Sequence, residues 1–208
     1  MKPFTRELWD QQDKHTGDRW RLFRRMQRVL EPETALYPGS YVDVAPSFVI
    51  PSVTYVDIDK RAARFFTDGD GIRELIAEHE GGPAEPDFSF IHADYRSDLL
   101  LIDESFDLLI SLYAGFVTEA CLRYLKVGGH LLANPSHGDV ALASIDQRLE
   151  LVGVVRSRNG NYNVTTDELD TYLVPKSGKQ VTREQVHATG RGIAYTRTEF
   201  AYLFRRTR

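Results

Sequence analysis

Over the first thirty positions the apolar residues fall at helical spacing. Trp9, Trp20, Leu22, Phe23, Met26 and Leu30 mark the buried side, Thr16-Gly17-Asp18 offers a break with a cap, and Pro32 limits the segment. A regular alternation of strands and helices follows. Thr34-Ala35-Leu36-Tyr37 reads as a short strand ending at Pro38-Gly39. Val53-Thr54-Tyr55-Val56-Asp57 is a second, rich in β-branched residues. Helical segments are predicted from Lys60 to Phe66 and from Gly71 to His79, with Asp70 as the N-cap of the latter, and Gly81-Gly82-Pro83 ends that unit. Phe88 to Ala93 and Phe106 to Leu112 supply strands three and four. Phe116, Val117, Ala120, Cys121, Tyr124 and Leu125 recur at helical spacing, and Gly128-Gly129 stops that helix before a fifth strand, His130 to Asn134.

The end of the chain departs from this rhythm. Leu149 to Val155 and Phe200 to Phe204 read as strands. Between them Thr165 with Glu168, and Thr182 with Gln185, form capping-box patterns for two short helices, the second closed by Gly190 and Gly192. The predicted fold is α/β: a Rossmann-like, mostly parallel sheet flanked by helices, with an antiparallel C-terminal edge strand. A chain of 208 residues suits one domain spanning 1–208. Within it, 1–31 forms a helical N-terminal segment and 156–192 an insertion placed to act as a lid.

Composition narrows the partners. A net charge of -4 argues against duplex nucleic acid as the default partner. The arginines at 19, 21, 24, 25 and 28, and those at 205, 206 and 208, read as a solvated helix face and a charged chain end. The lone Cys121 excludes an intrachain disulfide and reads as a small core residue, and no cluster has metal-ligand spacing. No stretch resembles a signal peptide or a membrane span, so a cytoplasmic protein without membrane partners is expected.

In open α/β sheets ligands bind beyond the carboxyl ends of the strands. Here those ends read Tyr37-Pro38-Gly39-Ser40, Asp57-Ile58-Asp59, His92-Ala93-Asp94-Tyr95, Ser111-Leu112-Tyr113-Ala114-Gly115 and Asn134-Pro135-Ser136-His137-Gly138-Asp139. Gly39 permits close approach of backbone to a ligand. Asp57, eighteen positions on, suits a carboxylate accepting from ribose hydroxyls, Ile58 an adenine face, and Asp94 the exocyclic amine. The same carboxylates also suit helix caps and turns.

The run from Ala35 to Asn134 resembles the class I S-adenosylmethionine-dependent methyltransferases. The resemblance is carried by Val56-Asp57-Ile58-Asp59, by Asp94, by Ser105 to Ser111, and by Leu125-Lys126-Val127-Gly128-Gly129-His130-Leu131. It implies S-adenosylmethionine as cofactor, a small-molecule or protein acceptor, and cofactor contacts from Tyr37, Pro38, Gly39, Ser40, Asp57, Ile58, Asp94, Tyr95, Ser111 and Leu112. The first loop departs from the family pattern of an acidic residue followed by spaced glycines. Tyr37 takes the acidic place and Gly39 the first glycine, while Tyr41 and Asp43 fall on the other two. Leu112 to Gly115 lacks the Asn/Asp-Pro-Pro-Tyr motif of the adenine-N6 and glutamine enzymes. His137 and Asp139 are the candidate bases and Tyr113 a candidate pocket residue. The altered loop keeps a second reading open, a non-catalytic module that binds a partner or another adenosine-containing ligand. A nicotinamide-dependent oxidoreductase ranks last, since no Gly-x-Gly-x-x-Gly follows the first strand.

Overall fold

The computed structural model describes residues 1–208, which divide into two compact units, Met1–Leu100 and Leu101–Arg208.

In the first unit, α1 (Pro3–Gln12) starts with proline in its first turn, where the missing N–H costs nothing. Gly17 then breaks the chain with φ +71°, and the Asp13 carboxylate accepts from its N–H at 2.8 Å. After that break α2 (Asp18–Leu30) buries Leu22, Phe23 and Met26 on one stripe. Strands β1 (Thr34–Pro38), β2 (Ser52–Asp57) and β3 (Asp87–His92) form a parallel ladder in the order β3-β2-β1, with Tyr37 opposite Tyr55 and Tyr55 opposite Phe90. Between β2 and β3 run α3 (Lys60–Phe66) and α4 (Gly69–Ala77). Asp59 caps α3 by accepting from Arg61 N–H at 2.6 Å. The cap position of α4 is Asp68, not Asp70, which lies inside the first turn. The Asp68 carboxylate turns toward α1, accepting from Lys2 N–H and the Thr5 hydroxyl, each at 2.7 Å. Those bonds hold its carboxyl below the usual range, the Thr5 hydroxyl foremost.

The second unit pairs β4 (Phe106–Ser111), β5 (Leu125–Ala133), β6 (Leu149–Arg158), β7 (Asn161–Thr165) and β8 (Ala201–Arg206) in the order β4-β5-β8-β6-β7. Only β4–β5 is parallel here. The terminal strand β8 is antiparallel, as expected, but lies between β5 and β6, so the β6–β7 hairpin carries the sheet outward beyond it.

Three further expectations are corrected. The helix before β5 is only α5 (Val117–Cys121) followed by a 3-10 turn. Gly128-Gly129 does not stop it but sits in an irregular stretch of β5, where the register slips between Phe106 and Leu108. A Cβ on Gly129 would stand 3.0 Å from the Asp107 carbonyl oxygen. The Thr165/Glu168 capping pattern does not start a helix. Asn159-Gly160, at φ +52° and +72°, makes a hairpin turn that commits the flanks to β6 and β7, leaving only a 3-10 turn at Leu169–Thr171. Arg206 is no solvated chain end. It is buried, and its guanidinium donates to the carbonyls of Leu122 and Leu125 and to Glu104 at 2.8 Å. The second capping box holds: Thr182 Oγ1 accepts from Gln185 N–H at 3.2 Å, and α7 (Arg183–Thr189) ends at Gly190 with φ +58°. Cys121 is fully buried, and burial pushes its thiol up to about 12.

Candidate functional site

The strand ends of the first unit form one constellation. Tyr37 and Ser40 are buried, so neither side chain is presented at the surface. The Tyr37 hydroxyl donates to Asp43 Oδ2 at 3.1 Å, and Asp43, itself buried, also accepts from Ala45 N–H and faces Arg19 Nε at 3.5 Å. Burial raises both groups, and the Asp43 charge raises Tyr37 further, which keeps the phenol protonated as the donor. The residue in the acidic place of the loop thus supplies a hydrogen bond to an acid placed six positions later.

The backbone of that loop is fully engaged with β2. Pro38 has no N–H. Gly39, at φ +68°, donates to the Val56 carbonyl at 2.7 Å, and Ser40 donates to the same oxygen at 3.4 Å. Tyr41, at φ +49°, donates to Asp57 Oδ2 at 2.7 Å. No backbone donor from 38 to 41 is left for a ligand.

Asp57 ends β2 with its carboxylate fastened by two backbone donors, Tyr41 N–H on one oxygen and Asp59 N–H at 2.8 Å on the other. Each oxygen keeps further acceptor capacity. Ile58, the next residue, is 68% exposed. Asp59 is spent on the cap and on Arg61, which holds its carboxyl below the usual range. Asp94 is likewise paired, accepting from Arg96 N–H at 2.9 Å and from the Arg96 guanidinium at both oxygens, so a ligand amine would compete with that ion pair. Tyr95 follows it, half-buried.

The strand ends of the second unit are organised by two buried side chains. Asp139 starts α6 (Asp139–Ile145) and is 2% exposed. It accepts from the Ser111 hydroxyl at 2.5 Å and from Thr118 N–H at 3.0 Å, tying the end of β4 to the start of α5. Burial pushes its carboxyl up to about 6. Asn134, just past β5, accepts from Tyr113 N–H at 3.1 Å and from the Ser136 hydroxyl at 2.8 Å. Leu112 is buried, whereas Tyr113 stands half exposed at φ +62°. His137 is exposed on the 3-10 turn Pro135–His137.

Beside these residues lies a cavity of about 470 Å³, lined by Tyr113, Asn134, Pro135, Ser136, Gly192, Ile193, Ala194, Thr198 and Phe200. Its wall is set by close backbone approach. A Cβ on Gly192 would meet the Pro135 carbonyl oxygen. The cavity gathers Tyr113 from the sequence candidates but neither His137 nor Asp139. The sequence assigns no site role to Asn134 or to the stretch from Gly192 to Phe200; Asn134 carries only its place before a proline at a strand end.

No protein-family model matches the sequence, and no curated protein matches it. Solved structures do. A candidate O-methyltransferase from Klebsiella pneumoniae superposes with a TM-score of 0.52 at 9% identity, over 79% of this chain and 88% of that one. An O-methyltransferase from Bacillus cereus, solved with S-adenosylhomocysteine, gives 0.50 at 9% identity over 79% and 89%. The chain has the class I methyltransferase fold. An rRNA methylase from Streptococcus thermophilus gives 0.49 at 12% identity over 90% and 95%. No helix is long and apolar enough to cross a membrane.

Proposed function

We propose that the chain transfers a methyl group from S-adenosylmethionine to a small-molecule acceptor. The observation that carries this reading is the Asp57-Ile58-Asp59 turn. It holds a carboxylate in fixed orientation by two backbone N–H groups, with acceptor capacity left over and an exposed apolar side chain beside it. That pairing fits the ribose hydroxyls and the flat base of an adenosyl group. Asp57 and Ile58 would hold the adenosyl portion of the cofactor, which would supply an electrophilic methyl group to the acceptor. Asp139 is a positioning residue in this reading, since it is buried and holds Ser111 and Thr118. His137, exposed on its turn, is the candidate proton acceptor.

A second reading is favoured by the loop from 38 to 41, whose backbone donors are all taken by β2. A module that binds adenosine but not the methionine portion would look the same at Asp57. Calorimetry with S-adenosylhomocysteine and with adenosine separates the two. Methyl transfer requires the homocysteine portion to strengthen binding. Equal affinity for both ligands favours the adenosine module, and no binding of either removes both readings.

A further inference from the structure

We infer that the cavity past β4 and β5 binds an uncharged aromatic molecule, oriented by a hydrogen bond from the Asn134 amide. Asn134 is 4% exposed and lines the cavity. Its amide is oriented by its neighbours. The Tyr113 backbone N–H can only donate, so the atom it meets at 3.1 Å is the carbonyl oxygen. The Ser136 hydroxyl donates to that same oxygen at 2.8 Å. The amide nitrogen, with two hydrogens, has no partner within the chain. Its hydrogens are open to a ligand or water in the cavity that Asn134 lines.

The rest of the wall decides what kind of ligand fits. Tyr113, half exposed, and Phe200, whose ring is braced edge-on by Tyr162 at 5.0 Å between centroids, provide aromatic surface, and Ile193 adds an apolar side. No Asp, Glu, Lys, Arg or His lines the cavity. An ion placed there would lose hydration without gaining a counter-charge. A neutral ring bearing a carbonyl oxygen, a hydroxyl oxygen or a ring nitrogen satisfies the free donor and covers the apolar wall. The volume of about 470 Å³ lies within the range of about 300–1,000 Å³ typical of small-molecule clefts. That this occupant is the methyl acceptor rests on the reading proposed above, whereas the binding site does not.

The test is saturation-transfer NMR on the full chain with benzamide, benzoate and benzylammonium as probes, at pH 7.5. Benzamide is expected to bind and the two ions to bind at least tenfold more weakly. Asn134→Asp keeps an oxygen for Tyr113 and Ser136 but replaces the free donor with an acceptor, and it should weaken benzamide at least tenfold. Should that variant fail to fold, Ala194→Phe, on the exposed rim, fills the same space and should abolish the signal. Benzoate binding as well as benzamide, or benzamide binding untouched by the substitution, overturns the inference. S-adenosylhomocysteine titrated into the same samples separates the two claims. Benzamide bound without it removes the methyl-transfer reading and leaves the site. S-adenosylhomocysteine bound without benzamide removes the site and leaves methyl transfer.

Discussion

The Asn134 side chain fixes the backbone of Tyr113, accepting its N–H at 3.1 Å while that residue sits at φ +62°. A bulky residue in the left-handed region costs roughly 1–2 kcal/mol. Tyr113→Gly should therefore leave the protein as stable or up to about 1 kcal/mol more stable. Asn134→Ala should lose about 1–3 kcal/mol, because the Tyr113 N–H and the Ser136 hydroxyl lose their acceptor. Urea denaturation of both variants measures this, and a stability loss in Tyr113→Gly larger than in Asn134→Ala contradicts it.

Asp57 and Asp59 should separate cleanly. Asp57→Asn keeps an oxygen for one backbone donor but removes the charge, and it should weaken S-adenosylhomocysteine by roughly tenfold or more. Asp59→Asn, at the α3 cap, should change affinity little, since Asn caps as well as Asp. Isothermal calorimetry on folded samples decides, and equal losses in the two variants would remove the distinction.

Asp139 gives a pH dependence with a definite sign. Its carboxyl is raised from 3.8 to about 6 by burial. Between those values the folded state keeps the proton that the unfolded chain releases, so stability falls as pH rises from about 4 to about 6. Asp139→Asn should flatten that slope. Melting temperatures at intervals across the window test this; an unchanged slope in the variant assigns it to another group.

The Tyr37–Asp43 pair predicts a stability effect inside the altered loop. Tyr37→Phe removes the hydroxyl that donates to a buried carboxylate and should cost about 1–3 kcal/mol. Asp43 would lean more heavily on Arg19, which lies 3.5 Å away. A denaturation midpoint equal to the parent's would show that this bond contributes nothing.

Gly192→Ala should be disruptive despite its exposed position. The added methyl meets backbone, the Pro135 carbonyl oxygen, which cannot rotate away. Overpacking of this kind costs about 1–3 kcal/mol. Displacement of the cavity wall should show as chemical-shift changes at Tyr113 and Ser136 in the NMR spectrum, and a silent spectrum would refute the contact.

The sequence by itself determined what depends on near neighbours. The β-branched run Val53 to Asp57, the Asp59 cap two residues before its donor, the Gly17 break and the Thr182 cap all form within a few residues, so their chemistry is visible in one dimension. Tertiary structure alone decided the rest. Whether Asp139 is a base or a buried anchor depends on Ser111, twenty-eight positions away, and Asn134 acquires its meaning only from Tyr113, twenty-one positions back. Arg206 turned from chain end into core because the carbonyls it satisfies lie at Leu122 and Leu125. β8 took an inner place because β6 pairs along its far side. In each case the physical reason is the same: burial and hydrogen-bond partnership are set by groups distant in the chain, and an isolated residue carries no record of them.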